Sequence, residues 1–221
     1  MPDLTPLWLT LNLALVTTLI LLVIGTPIAW WLATTRSSWR VPVEAVTALP
    51  LVLPPTVLGF YLLILLSPTS PVGAFWVSIT GDTLTFSFSG LVIASVIYSL
   101  PFMVQPLANA FDAVGKGPLE AAASLRAGPL DTFFSVVMPL STRGFLSAIV
   151  LTFVHTIGEF GVVLMVGGNI PGETKVISIA IYEQVETLRY ADAHVLSIAL
   201  VLFALAALLV TYSLNGRRHV G

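Results

Sequence analysis

Two ionisable side chains interrupt an apolar stretch of the chain, and their spacing could support chemistry. His155 and Glu159 are four residues apart, which places them on one face of a helix. In an apolar environment an ionisable group is costly, so its presence indicates a specific role. The pair could form part of a metal or proton site, contact a substrate, or hydrogen-bond to another helix.

These three roles place different demands on neighbouring residues. Two ligands are too few for a metal, and the zinc-binding His-Glu-x-x-His pattern is absent, so we expect no metal site. Gly158 and Gly161 flank Glu159 and predict a close approach of two helices. This favours a structural or gating role for Glu159 through an interhelical hydrogen bond, whereas His155 could face an anion.

A Pro54-Pro55 pair lies in the middle of another apolar stretch. Proline removes a backbone donor and frees a carbonyl group, which inside a membrane must be satisfied by neighbours or line a cavity. Transporters break helices in this way around a substrate path, and a packed structural kink is the alternative. With nearby hydroxyl groups, the candidate translocation path comprises Pro54, Pro55, Thr56, Thr152, His155 and Thr156.

A polar segment at 111–143 separates two of the apolar stretches. Residues 119–125 are rich in alanine and predict a helix, which Gly128-Pro129 should end, since proline disfavours helical geometry in the preceding residue. An apolar pattern resumes over 130–137, and Pro139 should open the next element. Two short helices at the membrane surface look suited to contact another protein, and a solvated connecting loop is the alternative.

Several classes of chemistry are excluded by composition. Gly115-Lys116-Gly117 lacks both the upstream glycine and the following Ser or Thr of a phosphate-binding loop, so the chain should not hydrolyse ATP by that route. The chain has no cysteine, which excludes thiolate chemistry and disulfides. A net charge of −2 provides no basic surface for nucleic acid.

The elements that must position these residues are membrane helices. Of 221 residues, 57% are hydrophobic and only 9% are charged, which is too few to cover a water-facing surface. We expect an all-α, polytopic membrane helix bundle that forms one domain over 1–221. Each span needs about 20 apolar residues. Five stretches qualify, at about 7–33, 43–66, 87–109, 144–166 and 193–214, and 71–79 could form a short interfacial helix.

The basic residues predict the orientation of the spans. Seven fall on one side of the five spans: Arg36, Arg40, Lys116, Arg126, Arg143, Arg217 and Arg218. Lys175 and Arg189 fall on the other. Because basic residues in short loops stay cytoplasmic, we expect the N-terminus outside, the C-terminus inside and the 111–143 loop in the cytoplasm.

The polar segment resembles the EAA loop of ABC importer permeases. The match starts at Glu120, Ala121 and Ala122 and ends, at the distance typical of the family, with Val136, Met138 and Pro139. The position of the motif glycine holds Arg126, and the nearest glycine is Gly128, so the turn is expected to be displaced to Gly128-Pro129. The resemblance implies that this loop couples the permease to a separate ATPase.

Further segments are similar to molybdate permeases. They are residues 49–57, the Gly158–Gly161 segment and residues 168–174, which include Asn169 and Pro171. Some of these pieces are shared with sulfate permeases. Molybdate permeases often carry arginine where this chain has Gln105 and His155, so we expect neutral donors rather than a fixed cation along the path. Asn169 and Pro171, with Gly158, Glu159 and Gly161, are expected to have structural or gating roles.

The resemblance implies a type I ABC importer permease fold with a cytoplasmic coupling helix, in a multi-pass protein of the inner membrane. It implies transport of molybdate or tungstate, with sulfate as the alternative. The expected partners are two copies of the ATPase, a second permease copy, an extracytoplasmic oxyanion-binding protein and membrane lipid. The chain itself should bind no cofactor, because ATP and Mg²⁺ are used by the ATPase.

Two rivals come from other classes of protein. An ion-coupled secondary transporter would need coupling-ion ligands in the membrane, and only Glu159 is a candidate. An intramembrane enzyme would need catalytic partners beyond His155 and Glu159. The sequence therefore favours a transport subunit that is not itself an enzyme.

Overall fold

The structure, a computed structural model, describes residues 4–215, and the regular elements in that range are all helices, without strands. The basic residues Arg217 and Arg218, used for the orientation above, lie outside the described residues. The α-helices are α1 Thr5–Thr34, α2 Arg40–Val52, α3 Pro55–Leu66, α4 Pro71–Thr80, α5 Phe88–Asp112, α6 Lys116–Ser124, α7 Pro129–Thr132, α8 Met138–Leu140, α9 Thr142–Gly158, α10 Gly161–Gly167, α11 Ile177–Glu186 and α12 Tyr190–Asn215. A π-helical stretch, Phe133–Val137, connects α7 to α8.

Among residues 4–215, three helices are long and apolar enough to cross a membrane. They are α1, α5 and the Tyr190–Ser213 part of α12. The number rises to five if two bent pairs each count as one span. One pair is α2 with α3, bent by 113°, and the other is Pro129–Leu140 with α9, bent by 76°.

The sequence predicted one span over 43–66, but this stretch is two helices with a break at Leu53 and Pro54. Leu53 and Pro54 have extended ψ angles of 137° and 135°. Each of them precedes a proline, and a residue in that position is forced away from helical geometry. Pro55 then opens α3, where a missing N–H does no harm. The proline pair thus ends one helix and begins the next.

The predicted span over 144–166 is also interrupted, at a place without proline. Helix α9 ends at Gly158, Glu159 is extended with ψ 132°, and α10 starts at Gly161. A Cβ atom on Gly161 would lie 2.8 Å from Cβ of Pro55, so only glycine lets the start of α10 contact the start of α3. Gly158 has no such neighbour within 4 Å, so the predicted close approach holds for Gly161 alone.

Helices α1, α5 and α9 pack against one another and form the centre of the molecule. Their contact is made by side chains such as Leu21, Met103, Leu107 and Ala148, which are fully buried. Next to this core, the ring of Phe133 lies 5.6 Å from Trp30 on α1 and 5.8 Å from Phe111 on α5, between ring centroids. These contacts attach the polar insert to the bundle.

The turn after α6 differs from the sequence expectation. Arg126 has a φ of 60°, in the left-handed region, whereas Gly128 has an extended backbone with φ −71°. The N–H of Ala127 bonds to O of Ala122 and the N–H of Arg126 to O of Ala123, the pattern of a Schellman motif. The turn is therefore not displaced to Gly128, because Arg126 itself adopts the conformation that the motif glycine would provide.

Candidate functional site

The two helix breaks meet at a cavity of about 540 Å³. The first turn of α3, the end of α9, the start of α10 and Tyr98 of α5 surround it. The side chains that carry chemistry in its wall are Thr56, Tyr98, His155 and Glu159, and no lysine or arginine lies among the described lining residues. The rest of the wall is mostly apolar.

His155 is held by three side chains of α5. Its Nδ1 lies 3.0 Å from Oγ of Ser99. Its ring stacks on Phe102, with centroids 3.8 Å apart and planes 23° apart, and lies 4.9 Å from the ring of Tyr98. Nδ1 is engaged by Ser99, while Nε2 makes no hydrogen bond to any described residue.

Glu159 has an exposed fraction of only 3%. The hydroxyl of Ser95, on α5, donates to its Oε2 at 2.9 Å, which is the kind of interhelical bond that the sequence suggested. The hydroxyl of Ser178, on α11, donates to its backbone carbonyl. The remaining oxygen, Oε1, is buried and has no hydrogen-bond partner within residues 4–215.

The structure brings together only some of the residues predicted for the path. Pro55, Thr56 and His155 line the cavity, whereas Pro54 is exposed beside it. Thr152 and Thr156 have exposed fractions of 0% and 2% and are not in the cavity wall. The hydroxyl of Thr156 donates to the carbonyl of Thr152, so it is unavailable to a passing ion. These two threonines therefore lie behind the cavity.

Ser95 and Ser99 are the site residues that sequence reasoning missed. They are four residues apart on α5, the same spacing as His155 and Glu159, and each contacts one of that pair. Both serines are fully buried. The matched spacing of small polar residues in two apolar helices is the signal that could have found them, since it places both pairs on facing helical stripes.

The polar insert presents a different kind of surface. Glu120 and Ala121 are exposed at the start of the motif, while Ala122 is buried. Pro139, Arg126 and Gly128 are exposed as well. The most exposed large apolar side chains of the insert are Leu125 (84%), Leu130 (74%), Phe134 (61%) and Leu140 (61%). Exposed apolar groups of this size in one segment are typical of a contact with another protein or with the membrane.

Helix α6 is adjacent to the start of α2. Arg40, Lys116 and Glu120 line one cavity of about 530 Å³, together with the end of α1. Arg40 is the first residue of α2 and forms a long ion pair with Glu44, N to O 4.0 Å. The insert therefore lies beside the end of α2 that is opposite the proline break.

A second polar cluster lies between α10 and α11. Asn169 donates to Oε2 of Glu183 at 3.0 Å, and the ammonium of Lys175 pairs with the same carboxylate. The Lys175 ammonium, and next the Asn169 amide, hold the pKa of Glu183 below its ordinary value of 4.5. Pro171 is exposed in the same loop and has no side-chain contact of this kind. The loop is thus tied to α11 through one acidic residue.

Within residues 4–215 there is no group of three or more His, Cys, Asp or Glu side chains that could hold a metal ion. In the cavity between the two helix breaks, the groups that can hydrogen-bond to a ligand are one imidazole, one carboxyl group, one phenol and one hydroxyl. Such a site can orient a polar ion, but it supplies no fixed positive charge.

The sequence matches the family model of binding-protein-dependent transport system inner membrane components over residues 8–217. It is 57% identical over 211 residues to the molybdenum transport system permease protein ModB of Azotobacter vinelandii, covering 96% of this chain and 93% of that protein. Identity to ModB of Escherichia coli K12 is 33%, over 84% of this chain and 81% of the other. The sulfate permease CysT of Synechocystis is 34% identical, over 89% of this chain and 69% of its own.

Solved structures show the same fold. The MetNI methionine ABC transporter superimposes with a TM-score of 0.74 at 19% identity, covering 95% of this chain and 92% of the other. A bacterial ABC transporter that imports alginate gives a TM-score of 0.69 at 18% identity, covering 96% of this chain and 79% of that chain.

Proposed function

The chain belongs to the family of binding-protein-dependent transport system inner membrane components, and from this membership we propose that it is the molybdate permease of an ABC importer. The assignment of molybdate as the substrate rests on the high identity to ModB of Azotobacter vinelandii across nearly the whole of both chains. Sulfate permeases are more distant, so sulfate is the second candidate. Tungstate, a near-isostere of molybdate, fits the same assignment.

The proposed importer contains two copies of an ATPase, two copies of this chain and an extracytoplasmic protein that delivers the oxyanion. ATP and Mg²⁺ bind to the ATPase, and this chain binds no cofactor of its own. We assign the 111–143 segment to the ATPase contact, with Glu120, Ala121, Ala122, Arg126, Gly128 and Pro139 as its motif. The exposed Leu125, Leu130 and Phe134 support this assignment, because buried apolar anchors usually provide most of the affinity of an interface.

The packing suggests how movement of the ATPases would reach the membrane. Phe133 contacts both Trp30 on α1 and Phe111 on α5, so a displacement of the insert moves two central helices. ATP-driven closure would bias the permease between inward-open and outward-open states through such differential contacts. The orientation that this requires, with the insert in the cytoplasm and the N-terminus outside, agrees with the distribution of basic residues.

The cavity between the two helix breaks is proposed as part of the translocation path. Broken helices near mid-span commonly surround the substrate in transporters, because irregular backbone is tolerated where it lines a cavity. Pro55, Thr56 and His155 form its wall. Glu159 fixes the break by its bonds to α5 and α11.

Uptake of radiolabelled molybdate by cells that lack their own molybdate permease tests the function directly. Cells that express this chain with its cognate ATPase and binding protein should accumulate molybdate, and excess tungstate should compete more strongly than excess sulfate. Stronger competition by sulfate would replace the assignment with a sulfate permease. Uptake by this chain alone, without the ATPase, would instead support an ion-coupled secondary transporter.

A further inference from the structure

Three hydrogen bonds behind the cavity between the two helix breaks, linking Thr156, Ser99 and His155, allow only one assignment of donors and acceptors. The Thr156 hydroxyl donates to the carbonyl of Thr152 at 2.9 Å, so its proton is already used. Its contact with Ser99, at 3.0 Å between hydroxyl oxygens, therefore requires Ser99 to be the donor. Ser99 then has no proton left for His155, and the 3.0 Å contact between them requires the Nδ1–H of His155 to donate.

This direction determines what His155 presents to the cavity. A neutral imidazole carries one proton, and the chain of bonds places it on Nδ1, so Nε2 keeps a lone pair. A lone pair cannot contact the oxygen of an anion favourably. An oxyanion can bind at Nε2 only if a proton lies between the two atoms.

Glu159 imposes the same condition. Its Oε2 accepts from Ser95, and its buried Oε1 has no partner among the residues described. An oxyanion oxygen that approaches Oε1 also needs a proton between the two oxygens, whichever side provides it. His155 and Glu159 thus each accept an oxyanion only when a proton lies between the side chain and the anion.

The electrostatics of the cavity agree with this condition. No lysine or arginine lines it within the described chain, and Tyr98 from α5 is the other titratable group in its wall. Helix α3 contributes Thr56, α10 contributes apolar side chains, and Ser178 of α11 contacts the Glu159 backbone. A divalent anion in a low-dielectric site without a cation is strongly disfavoured, so protons would supply the missing positive charge.

We propose that the cavity binds a tetrahedral oxyanion together with protons, held between the anion and His155 Nε2 and between the anion and Glu159 Oε1. Ser99 is a positioning residue, because it fixes the proton of His155 on Nδ1. The protons come from solvent and return there when the anion leaves. This inference rests on the proposed function, but it concerns how the path tolerates a dianion rather than which protein the chain resembles.

The test measures radiolabelled molybdate binding to the purified full-length permease in nanodiscs, by equilibrium dialysis between pH 7 and pH 8.5. The apparent affinity of the wild type should fall with rising pH, by up to about tenfold per pH unit for each linked proton. His155→Gln and Glu159→Gln should both still bind molybdate with a weaker dependence on pH. A glutamine amide donates a hydrogen bond without taking up a proton, and at position 159 its oxygen can still accept from Ser95.

Matched controls separate this effect from a structural one. His194→Gln and Glu44→Gln make the same chemical changes at exposed positions outside the cavity and should keep the wild-type pH dependence. Ser99→Ala frees His155 to carry its proton on Nε2, so it should weaken the pH dependence while molybdate binding remains. A purely structural role of Ser99 would not change the slope.

A wild-type affinity that does not change with pH would overturn the proposal, and so would a wild-type slope retained by both glutamine variants. Absence of molybdate binding to the permease would overturn it too, but it would leave the transport function standing if cells still accumulate molybdate. Loss of that accumulation in the wild-type system would be a failure of the proposed function itself.

Discussion

Arg126 shows how one residue can meet a requirement that glycine usually meets. Its left-handed φ of 60° allows the two hydrogen bonds that close helix α6. A side chain with a Cβ atom pays about 1 kcal/mol for this conformation relative to glycine. The side chain is exposed, so nothing in the bundle prevents it from pointing away from the turn.

Arg126→Gly should therefore stabilise the end of α6. We expect amide protection there to rise about fivefold in hydrogen exchange, which corresponds to about 1 kcal/mol. Arg126→Ala is the control, since it removes the guanidinium but keeps the Cβ atom and should show no such gain. Equal protection in the two variants would mean that the guanidinium, not backbone strain, determines the stability of this turn.

Two glycines that flank Glu159 offer a matched pair. Gly161→Ala places a Cβ atom 2.8 Å from that of Pro55 and should destabilise the permease by about 1–3 kcal/mol, with reduced transport. Gly158→Ala meets no atom within 4 Å and should be neutral or slightly stabilising. Thermal unfolding midpoints, measured in the same detergent, should be lower than wild type for Gly161→Ala and unchanged or slightly higher for Gly158→Ala. A neutral Gly161→Ala would show that α3 and α10 separate easily.

At the scale of elements, the loop between α10 and α11 is held to α11 by the carboxylate of Glu183. The pKa of Glu183 is lowered in the folded protein, so its bonds to Lys175 and Asn169 stabilise the fold above the ordinary pKa of 4.5. This contribution is lost as the pH falls from that value through the lowered folded pKa.

Glu183→Gln should accordingly lower the thermal midpoint at pH 7, and the difference from wild type should shrink as the pH falls below 4.5. The effect should be small, because the pair is partly exposed. Glu186, on the same helix, accepts a hydrogen bond from the Tyr182 hydroxyl instead. Glu186→Gln therefore controls for the loss of one negative charge. A difference that stays constant with pH would exclude the carboxylate as its source.

Some elements could be predicted from sequence, and others depend on tertiary contacts. The break at Pro54 follows from local sterics, because each proline restricts the residue before it. The break at Glu159 has no such local cause. It is accompanied by the fit of Gly161 against Pro55 and by bonds from Ser95 and Ser178, partners far away in sequence. The burial of Thr152 and Thr156 likewise depends on how α9 faces α5, which periodicity alone does not give.

For the whole molecule, the described chain leaves much apolar surface uncovered. Only 6% of the apolar window of α12 is buried, although α1, α5 and α9 form a tight centre. Lipid or a second permease copy is needed to cover such a helix, which is consistent with the proposed assembly in the inner membrane.

The contact with the ATPase can be tested on the assembled transporter. Glu120→Lys should abolish molybdate uptake while the protein still inserts into the membrane, because it reverses an exposed charge inside the proposed contact. Glu173→Lys makes the same change at an exposed position in the loop before α11, away from the insert, and should leave uptake largely intact. Uptake at the wild-type level with Glu120→Lys would remove Glu120 from the interface.

The 113° bend between α2 and α3 has a mechanical consequence. A pyrrolidine ring fixes φ at Pro54 and Pro55, so the joint has fewer free rotations than an ordinary two-residue link. Helices α2 and α3 should therefore turn as one stiff L-shaped lever rather than fold at the joint. One arm begins at Arg40 beside α6, and the other begins at the cavity wall with Thr56. A small rotation of α2 beside the insert would thus move Thr56 in the wall of the proposed path, because the joint between the two helices would not bend.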